Sequence, residues 1–402
     1  MNIAVFAKKT TFHEGYGGLE IQNKILCEGL VSRGYEVTIF SPKWELTLDE
    51  ANENNLKYVF VDCVYRMGPV FGFFGSWQRS NWLNRSADVF RQNHEKRKFD
   101  LVLAQSSAGL GVIKLKSQLN IKVISIAHGS IIGEYKTFLS GISLPGDLVS
   151  LAKNTGFALK NFFKRQREFV HGSDKLVAVS NFVKKSLVEE TFIEEDKIQV
   201  INNGADPRLF FPVDKKIKRG NKLLYVGQLI GSKGVKELLV MLSNPDCLGL
   251  NLALVGSGEL LGELKNKVEH DPNLKDRVIL PGKVDYGELI EKYYKNSDYG
   301  LLVLPTKRFE GFPMVLAEAM FSALPIVAYD MGGIADAVKT GKNGFLINPD
   351  DEEQFKNRIL ELVQNEELRQ QMSQNSLSVA YESFTLGGML DEYEKVIQEV
   401  IK

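Results

Sequence analysis

The segment from Phe309 to Glu318 combines the residue types and spacing best suited to chemistry in this chain. It holds two carboxylates, Glu310 and Glu318, on either side of Pro313. The apolar run Tyr299–Pro305 before it predicts a buried parallel strand. Proline favours the first turn of a helix, and the free amides and dipole of that turn attract anions. A carboxylate repels a neighbouring anion but accepts hydrogen bonds from hydroxyls attached to it. The segment therefore predicts a site for a sugar phosphate or a nucleotide sugar.

Three more loops at predicted strand ends hold candidate residues. Gly17 and Gly18 precede a helix, where glycines let the backbone approach a phosphate or an acceptor, although a plain turn is the alternative. Lys233 follows a strand and can reach a diphosphate, with a solvated lysine as the alternative. His128 ends the run Val123–Ala127. Ligands bind at this end of strands in open α/β sheets, which favours a functional role over a surface or core histidine.

Strand patterns alternate with helical patterns along the whole chain, which predicts two doubly wound parallel-sheet domains facing each other across a cleft. We expect domains at residues 1–213 and 214–385, with a boundary in the polar, basic stretch Phe211–Asn221. A last helix, about Leu386–Ile401, has no strand after it and is expected to pack back across both domains. The predicted strands are Ile3–Ala7, Glu36–Phe40, Leu101–Ala104, Lys122–Ala127, Lys175–Val179, Lys197–Ile201, Lys222–Val226, Asn251–Val255, Val278–Leu280, Tyr299–Leu304, Pro325–Ala328 and Gly344–Ile347.

The composition of the chain narrows the classes of protein to which it can belong. With 402 residues, 44% of them hydrophobic and 25% charged, the chain is typical of a globular protein with two or three domains. Its 50 basic and 50 acidic residues balance, so the total lacks the excess of positive charge that is typical of a nucleic-acid-binding protein. Up to Val213 there are 27 basic and 22 acidic residues, and after it 23 and 28, so the first half is mildly basic (+5 against −5).

Cysteines and histidines argue against a metal centre. The 3 cysteines and 5 histidines lack the spacing of zinc ligands, and no two aspartates bracket a single residue. We therefore expect free thiols, no metal and no other cofactor. The start of the chain lacks a charged leader, and no apolar run reaches the roughly 18 residues of a membrane span. A cytoplasmic protein is expected.

Aromatic residues cluster with cations in two stretches of the first half, Val64–Trp77 and Lys160–Arg167. One interpretation is a peripheral surface for anionic lipid headgroups and a lipid-linked or polymeric acceptor. The other is that Phe71–Trp77 packs inward and leaves the cations in solvent.

Taken in order along the chain, these residues resemble family 4 of the glycosyltransferases, the large retaining family with the two-domain GT-B fold. The most specific element is the pair Glu310 and Glu318, separated by seven residues. The resemblance covers essentially the whole chain. Supporting matches are Gly17-Gly18, His128, Asn203-Gly204-Ala205-Asp206, Lys233-Gly234, Gly256-Ser257-Gly258 and Gly332-Gly333.

The resemblance implies roles for individual residues. Glu310 would hold hydroxyls of the donor sugar, Glu318 the ribose, and Lys233 the diphosphate leaving group. His128 would touch the donor sugar from the other domain. The remaining donor-binding positions are Gly17, Gly18, Gln228, Gly256, Lys283, Val284, Gly311, Phe312, Pro313, Met314 and Val315. Of these, Lys283 and Val284 would meet the base through backbone atoms.

Two residues depart from the family pattern. Gln228 stands where arginine is usual, so one cation on the diphosphate is lost, and Asp336 stands where glutamate is common. The sequence shows no nucleophile, and the resemblance implies front-face transfer that relies on positioning and leaving-group stabilisation.

The resulting expectation is a retaining hexosyltransferase that moves a sugar from a nucleotide-sugar donor to a glycan, glycolipid or cell-surface polysaccharide. A UDP-sugar is favoured, and GDP-mannose is the alternative. Two other functions remain open: a nucleotide-sugar hydrolase or epimerase of the same fold, and a non-catalytic partner subunit, for which Gln228 is the motive.

Overall fold

The computed structural model describes residues 1–44, 46–64, 72–140, 155–156, 161–210, 220–296 and 298–402, with only the backbone described at 72–76, 138, 140 and 161–163. The chain divides into two compact units. The first unit comprises Met1–Tyr135, Ile142–Asn202 and Met389–Lys402, and the second comprises Lys136–Gly141 and Asn203–Gly388. The predicted boundary in Phe211–Asn221 falls mostly on residues 211–219, which lie outside the described residues, and it stays a prediction.

The first unit is built on an eight-stranded sheet in the order β3-β4-β2-β1-β5-β6-β7-β8. All neighbouring strands are parallel except β3 and β4. Every residue of β1 is buried. This agrees with its mostly apolar sequence, since the strands of a parallel sheet have both faces covered. The strands are β1 Asn2–Phe6, β2 Glu36–Pro42, β3 Glu50–Glu53, β4 Leu56–Val61, β5 Leu101–Gln105, β6 Lys122–Ala127, β7 Lys175–Ala178 and β8 Ile198–Val200.

Helices connect these strands. Those that begin in the first unit are α1 Gly18–Ser32, α2 Gly72–Lys96, α3 Leu110–Ile113, α4 Lys116–Leu119, α5 Ile131–Ser140, α6 Arg167–Gly172 and α7 Asn181–Thr191. A π-helical turn, Asn161–Gln166, leads into α6. The last five residues of α5 belong to the second unit.

The second unit has a six-stranded, all-parallel sheet in the order β11-β10-β9-β12-β13-β14. Its strands are β9 Lys222–Val226, β10 Asn251–Val255, β11 Val278–Gly282, β12 Tyr299–Leu304, β13 Ile326–Tyr329 and β14 Gly344–Ile347. Its helices are α8 Pro207–Phe210, α9 Val235–Leu242, α10 Leu261–His270, α11 Tyr286–Leu289, α12 Met314–Phe321, α13 Ile334–Ala337, α14 Glu352–Gln364 and α15 Glu366–Ser383. The predicted fold class, two parallel-sheet α/β domains, is confirmed.

The last helix, α16, covers Leu386–Ile401, as the sequence predicts. From Met389 onward it belongs to the first unit. There Arg33 of α1 pairs with Asp391 at 2.6 Å and with Glu394 at 2.5 Å. A Cβ added to Gly29 would lie 2.7 Å from Leu390 Cδ1, so α1 and α16 pack closely at this point.

Strands β3 and β4 are absent from the prediction. Asn54 and Asn55 join them as a two-residue hairpin turn, with φ of 51° and 63°. Such turns need positive φ at both positions, which asparagine tolerates. The Asn-Asn pair was therefore the available signal. The polar sequence of β3, an antiparallel edge strand, concealed it.

Among the described residues, no helix combines the length and apolar character needed to cross a membrane. Within the aromatic segment Val64–Trp77, residues 65–71 lie outside the described residues and only the backbone is described at 72–76. Lys160 also lies outside the described residues. Trp77 is described and is 43% exposed. Cys27, Cys63 and Cys247 are free thiols, as expected.

Candidate active site in the second unit

Five loops of the second unit follow neighbouring strands and meet at the carboxyl edge of the sheet. Backbone hydrogen bonds join each loop to the next. They are Gly256 N to Gly282 O at 2.9 Å, Leu229 N to Ser257 O at 2.9 Å, Lys307 N to Ser232 O at 2.9 Å and Gly333 N to Glu310 O at 2.8 Å. The edge where α/β sheets bind ligands is thus one connected backbone surface.

Glycines make these close approaches between loops possible. Gly234 has φ of +70°, and a Cβ there would lie 2.0 Å from the carbonyl oxygen of Pro305. Gly256 has φ of +151°, and a Cβ there would lie 1.8 Å from the oxygen of Gly227. An L side chain fits neither place, because both the backbone conformation and the space exclude it. Gly234 therefore fixes Lys233 beside the end of β12.

Lys233 and Glu310 form an ion pair between Nζ and Oε1. Their side chains are only 14% and 15% exposed. The buried hydroxyl of Thr306 donates to the same Oε1 at 3.2 Å and accepts from Arg308 N at 3.2 Å. The structure thus brings together two predicted site residues of opposite charge. The hydroxyl of Thr306 gives the carboxylate a second contact.

The loop from Phe309 to Pro313 is anchored at both ends. Phe309 N donates to Thr137 Oγ1 at 3.0 Å, and Asn203 Nδ2 donates to Phe312 O at 3.1 Å. Phe312 is buried, with its ring centroid 5.2 Å from that of Phe384. Pro313 is the N-cap of α12, one position before the first helical residue, Met314.

The amide end of α12 is therefore held at the site. Gly311, Pro313 and Val315 are half-buried, whereas Met314 is buried. The first amides of a helix have no carbonyl partner within it and present positive charge. The geometry that the sequence predicts for an anion site, a helix N-terminus flanked by Glu310, is present.

Glu318 lies on the second turn of α12 and is only 3% exposed. Tyr286 donates to its Oε1 at 2.9 Å and Tyr294 donates to its Oε2 at 2.7 Å. Burial raises the pKa of this carboxyl group, and the two tyrosine hydrogen bonds act in the opposite direction. Sequence reasoning named Glu318 but missed both tyrosines, which occupy both oxygens of the carboxylate in this structure.

Three other predicted donor-binding residues occupy neighbouring loops. Gln228 is exposed, and its carbonyl oxygen accepts a hydrogen bond from Tyr225 at 2.8 Å. Lys283 is exposed and Val284 is half-buried, immediately after β11. These loops follow β9 and β11, two strands separated only by β10.

His128, Gly17 and Gly18 belong to the first unit. His128 Nε2 contacts Gln105 Oε1, and Gln105 Nε2 donates to Asn23 Oδ1 at 2.6 Å. Because Gln105 presents its acceptor oxygen, Nε2 of His128 is the donor, which leaves Nδ1 free of the proton in the neutral ring. Burial lowers the pKa of His128 to about 4, so the ring is neutral at pH 7.

Gly17 is the N-cap of α1, with φ of −137°, and its amide donates to Glu20 Oε2 at 2.7 Å. A Cβ added to Gly17 would come no closer than 3.8 Å to that oxygen. The unit itself therefore does not require glycine at this position, which is consistent with the predicted approach of a ligand to this backbone.

Sequence reasoning also missed Thr306 and Gln105, which hold Glu310 and His128. Position was the available signal, since Gln105 ends a strand next to the strand of His128. In the described part of the chain, no three His, Cys, Asp or Glu side chains are grouped so as to hold a metal ion.

Two family models match the chain in succession. Residues 16–209 match Glycosyltransferase Family 4, and residues 208–379 match Glycosyl transferases group 1. The chain belongs to glycosyltransferase family 4. The predicted family is confirmed, and this glycosyltransferase carries the expected Glu310 and Glu318 within the group 1 region.

Relatives agree with this assignment, and a solved structure shares the fold. An uncharacterised glycosyltransferase of Methanocaldococcus jannaschii is 28% identical over 335 residues, covering 82% of each chain. The UDP-Gal:alpha-D-GlcNAc-diphosphoundecaprenol alpha-1,3-galactosyltransferase of Escherichia coli is 27% identical and covers 56% of this chain and 60% of its own. Sucrose-phosphate synthase from Thermosynechococcus elongatus shares the fold, with a TM-score of 0.78, 19% identity and coverage of 99% and 98%.

Proposed function

We propose that this glycosyltransferase moves a hexosyl group from a UDP-sugar to a glycan or lipid-linked acceptor, with retention of anomeric configuration and without a metal. The observation that carries the proposal is the Lys233–Glu310 ion pair beside the amide end of α12. The cation and the helix N-terminus suit the diphosphate of such a donor, and the carboxylate suits its sugar hydroxyls. The E. coli relative, named for UDP-Gal and a diphosphoundecaprenol acceptor, supports the choice of donor and acceptor class.

Donor binding exchanges the partners of the ion pair. Lys233 turns its charge to the diphosphate, and Glu310 accepts hydrogen bonds from sugar hydroxyls while Thr306 keeps its hold on Oε1. The amides of Phe312 to Val315 meet the sugar and the distal phosphate. Before the donor binds, the ion pair stabilises both side chains near the positions where they act, which reduces the ordering cost of binding.

The nucleoside half of the donor is assigned to Glu318 and the loop after β11. Each oxygen of Glu318 already accepts one hydrogen bond from a tyrosine, and the tyrosine that a ribose hydroxyl can replace is the half-buried Tyr286, since Tyr294 is fully buried. Tyr286 therefore gives up Oε1 to the ribose and Tyr294 stays on Oε2. Backbone atoms of Lys283 and Val284 meet the base.

The proposed chemical step is transfer on the face from which the leaving group departs. The bond from the anomeric carbon to the phosphate oxygen breaks, and its electron pair goes to the diphosphate. The acceptor oxygen bonds to the anomeric carbon on that face, and its proton passes to the departing phosphate oxygen. Lys233 and the amides of α12 stabilise the developing charge in place of a metal. His128, neutral and protonated on Nε2, has Nδ1 available to accept a hydrogen bond from a sugar hydroxyl.

The test incubates the purified protein with UDP-glucose, UDP-galactose, UDP-N-acetylglucosamine and GDP-mannose in the presence of a chelator. Thermal stability and release of nucleoside diphosphate are measured for each donor. We expect one UDP-sugar to raise the midpoint temperature and to yield UDP slowly. The same assay on the variant E310Q tests the role of Glu310. E259Q is its matched control, since Glu259 is an exposed carboxylate at the same sheet edge.

Different outcomes separate the remaining functions. Stabilisation and turnover by GDP-mannose alone would replace the proposed donor, and activity only after metal is added would overturn metal independence. Free sugar as the final product whatever the acceptor would identify a hydrolase. No binding of any donor, together with recovery of binding in Q228R, would favour a partner subunit that has lost its donor site.

A further inference from the structure

A surface cavity of about 160 Å³ lies in the second unit, apart from the residues assigned to the donor. Helix α9 and the start of α14 form its sides, and Pro305 and Tyr329 line it where β12 and β13 end. Cavities of comparable size in other proteins bind small organic molecules. The size therefore suits a small ligand.

Much of the wall of this cavity is apolar. Leu238 and Met241 come from α9 and Phe355 from α14, and Leu238 and Phe355 are each 2% exposed. The ring of Tyr329 packs on Phe355, with 4.7 Å between the ring centroids. Such a wall favours the apolar body of a ligand, because the contact removes apolar surface from water.

Two polar groups on the wall lack partners. Tyr329 is 2% exposed, and in the described part of the chain its hydroxyl makes no hydrogen bond. The carboxylate of Glu237 likewise makes none with the described residues, and its Oε2 is buried. Buried polar groups in folded proteins nearly always have a partner. These two groups are therefore available to a ligand.

The hydroxyl of Tyr329 lies close to the carboxylates of the cavity. Its pKa is raised, first through burial and then through the negative charges of Glu352, Glu237 and Asp351. Glu237 and Glu352 both line the cavity. The unpartnered hydroxyl and the unpartnered carboxylate therefore face the same space.

The charges around the cavity do not balance. Three carboxylates and one ammonium group line it, namely those of Glu237, Glu352, Glu353 and Lys356. Lys356 pairs with Glu353 at 2.9 Å, and Glu352 pairs with Lys307 at 3.1 Å. Within the described ranges, Glu237 has no ion-pair partner. The remaining charge is negative, which favours a cationic ligand.

A protonated primary amine fits both unpartnered groups. It has three N–H donors, and carboxylate and hydroxyl oxygens both accept hydrogen bonds. A metal ion fits less well, because no three His, Cys, Asp or Glu side chains among the described residues are grouped so as to hold one.

We propose that this cavity binds a small organic molecule with a protonated primary amine and an apolar body. The ammonium group donates to the carboxylate of Glu237 and to the hydroxyl of Tyr329, and the body packs against Leu238, Met241 and Phe355. The inference goes beyond the proposed function, since none of the residues that line the cavity is assigned to the donor.

The test titrates the full-length protein at pH 7 with n-pentylamine, which is protonated there, and with n-pentanol, which has a similar shape and no charge. Saturation-transfer NMR of each ligand gives its dissociation constant. We expect the amine to bind at least about tenfold more tightly than the alcohol, as a charge-assisted hydrogen bond predicts.

Variants locate the bound amine. E237Q removes the charge that the amine meets, and E263Q is its matched control, because Glu263 is an exposed carboxylate paired at 2.7 Å with Lys236, the residue before Glu237. We expect E263Q to bind pentylamine like the wild type and E237Q to bind it at least about tenfold more weakly. Y329F removes only the hydroxyl and should weaken binding about fivefold. It serves as the second variant if E237Q fails to fold.

The outcomes separate this inference from the proposed function. Equal affinity for amine and alcohol, unchanged binding in E237Q, or no amine binding to the folded wild type overturns the amine site. Binding that E310Q abolishes and E237Q preserves also overturns it, because the amine then occupies the candidate active site. UDP binding is measured on the same samples. Its absence contradicts the proposed function and leaves the amine site standing.

Discussion

The carboxyl edges of the two sheets are built by different means. In the second unit, backbone hydrogen bonds join successive loops, and Gly234 and Gly256 make the closest approaches possible. In the first unit, the edge depends on side chains: His128 contacts Gln105, and Lys8 contacts Ser107. A backbone-built edge tolerates few residue types at fixed positions, while a side-chain-built edge accepts many combinations. In the proposed function, the backbone-built edge holds the nucleotide-sugar donor and the side-chain-built edge takes the acceptor.

The sharpest test of this comparison replaces glycine by alanine at each edge. In G234A, the new Cβ meets the Pro305 oxygen and the φ of +70° is strained, so we expect a loss of at least about 3 kcal/mol in the free energy of unfolding. In G17A, φ is −137° and nothing lies closer than 3.8 Å, so we expect a change within about 0.5 kcal/mol. Thermal denaturation measures both.

The control for G234A is G231A in the same loop, where a Cβ would meet nothing within 4 Å. Equal destabilisation by the two substitutions would show that the whole loop is sensitive. The contact with Pro305 would then not explain why glycine is required at position 234.

The next largest effect concerns activity rather than stability. E310Q keeps the shape of the side chain but removes the charge that pairs with Lys233. In the proposed function, this charge also accepts hydrogen bonds from sugar hydroxyls. Since a hydrogen bond to a charged group contributes about 1.5–3 kcal/mol, we expect kcat/KM to fall about 10- to 100-fold. The midpoint temperature should fall as well, because the largely buried Lys233 loses its charged partner. Steady-state release of UDP measures it, and unchanged activity would contradict the role of Glu310.

The same difference between the edges explains what the sequence could predict. Helix α12, the strand before it, Lys233 and Glu310 were predictable, because proline, glycine and charged residues stand at positions that the backbone dictates. The hydrogen bonds of Glu318 were not predictable. Tyr286 and Tyr294 lie on the segment after β11, and only the folded chain brings their hydroxyls to α12.

Less of the first unit's site could be predicted from the sequence than of the second unit's. The strands were predictable from apolar runs, but Gln105 and Lys8 carry no local signature, since a glutamine or lysine after a strand is most often solvated. Their contacts follow from strand order, which places β1, β5 and β6 side by side. Spacing within one segment does not reveal that order.

The two tyrosines on Glu318 allow a finer test within the second unit. Y294F leaves Oε2 of a buried carboxylate without its donor, which should cost about 1–3 kcal/mol of stability. Y286F removes the donor from Oε1, which is the oxygen that the ribose takes in the proposed complex. We therefore expect Y286F to bind UDP at least as tightly as the wild type, and E318Q to bind it more weakly. Weaker UDP binding in Y286F would show that the tyrosine assists the nucleoside instead of yielding to it.

An effect confined to acidic pH concerns His128 and the pH dependence of stability. Its pKa is lowered to about 4 in the folded chain, against about 6.5 in an unfolded one. Between these values the unfolded chain binds more protons, so stability falls as the pH drops from about 6.5 to about 4, and above 6.5 the group has no influence. H128N, which does not titrate, should flatten this part of the curve of midpoint temperature against pH.

A second substitution tests the cause of the shift. Q105E places a carboxylate against Nε2 of His128, and an adjacent negative charge favours the protonated ring. We expect the histidine pKa, measured by NMR titration, to rise. The loss of stability on acidification, which begins near the unfolded-state pKa of about 6.5, should then end at a higher pH and be smaller, or disappear. An unchanged pKa in Q105E would mean that Gln105 does not face the ring in solution. The side-chain construction of the first edge would then lose its main support, while the backbone-built edge of the second unit would be unaffected.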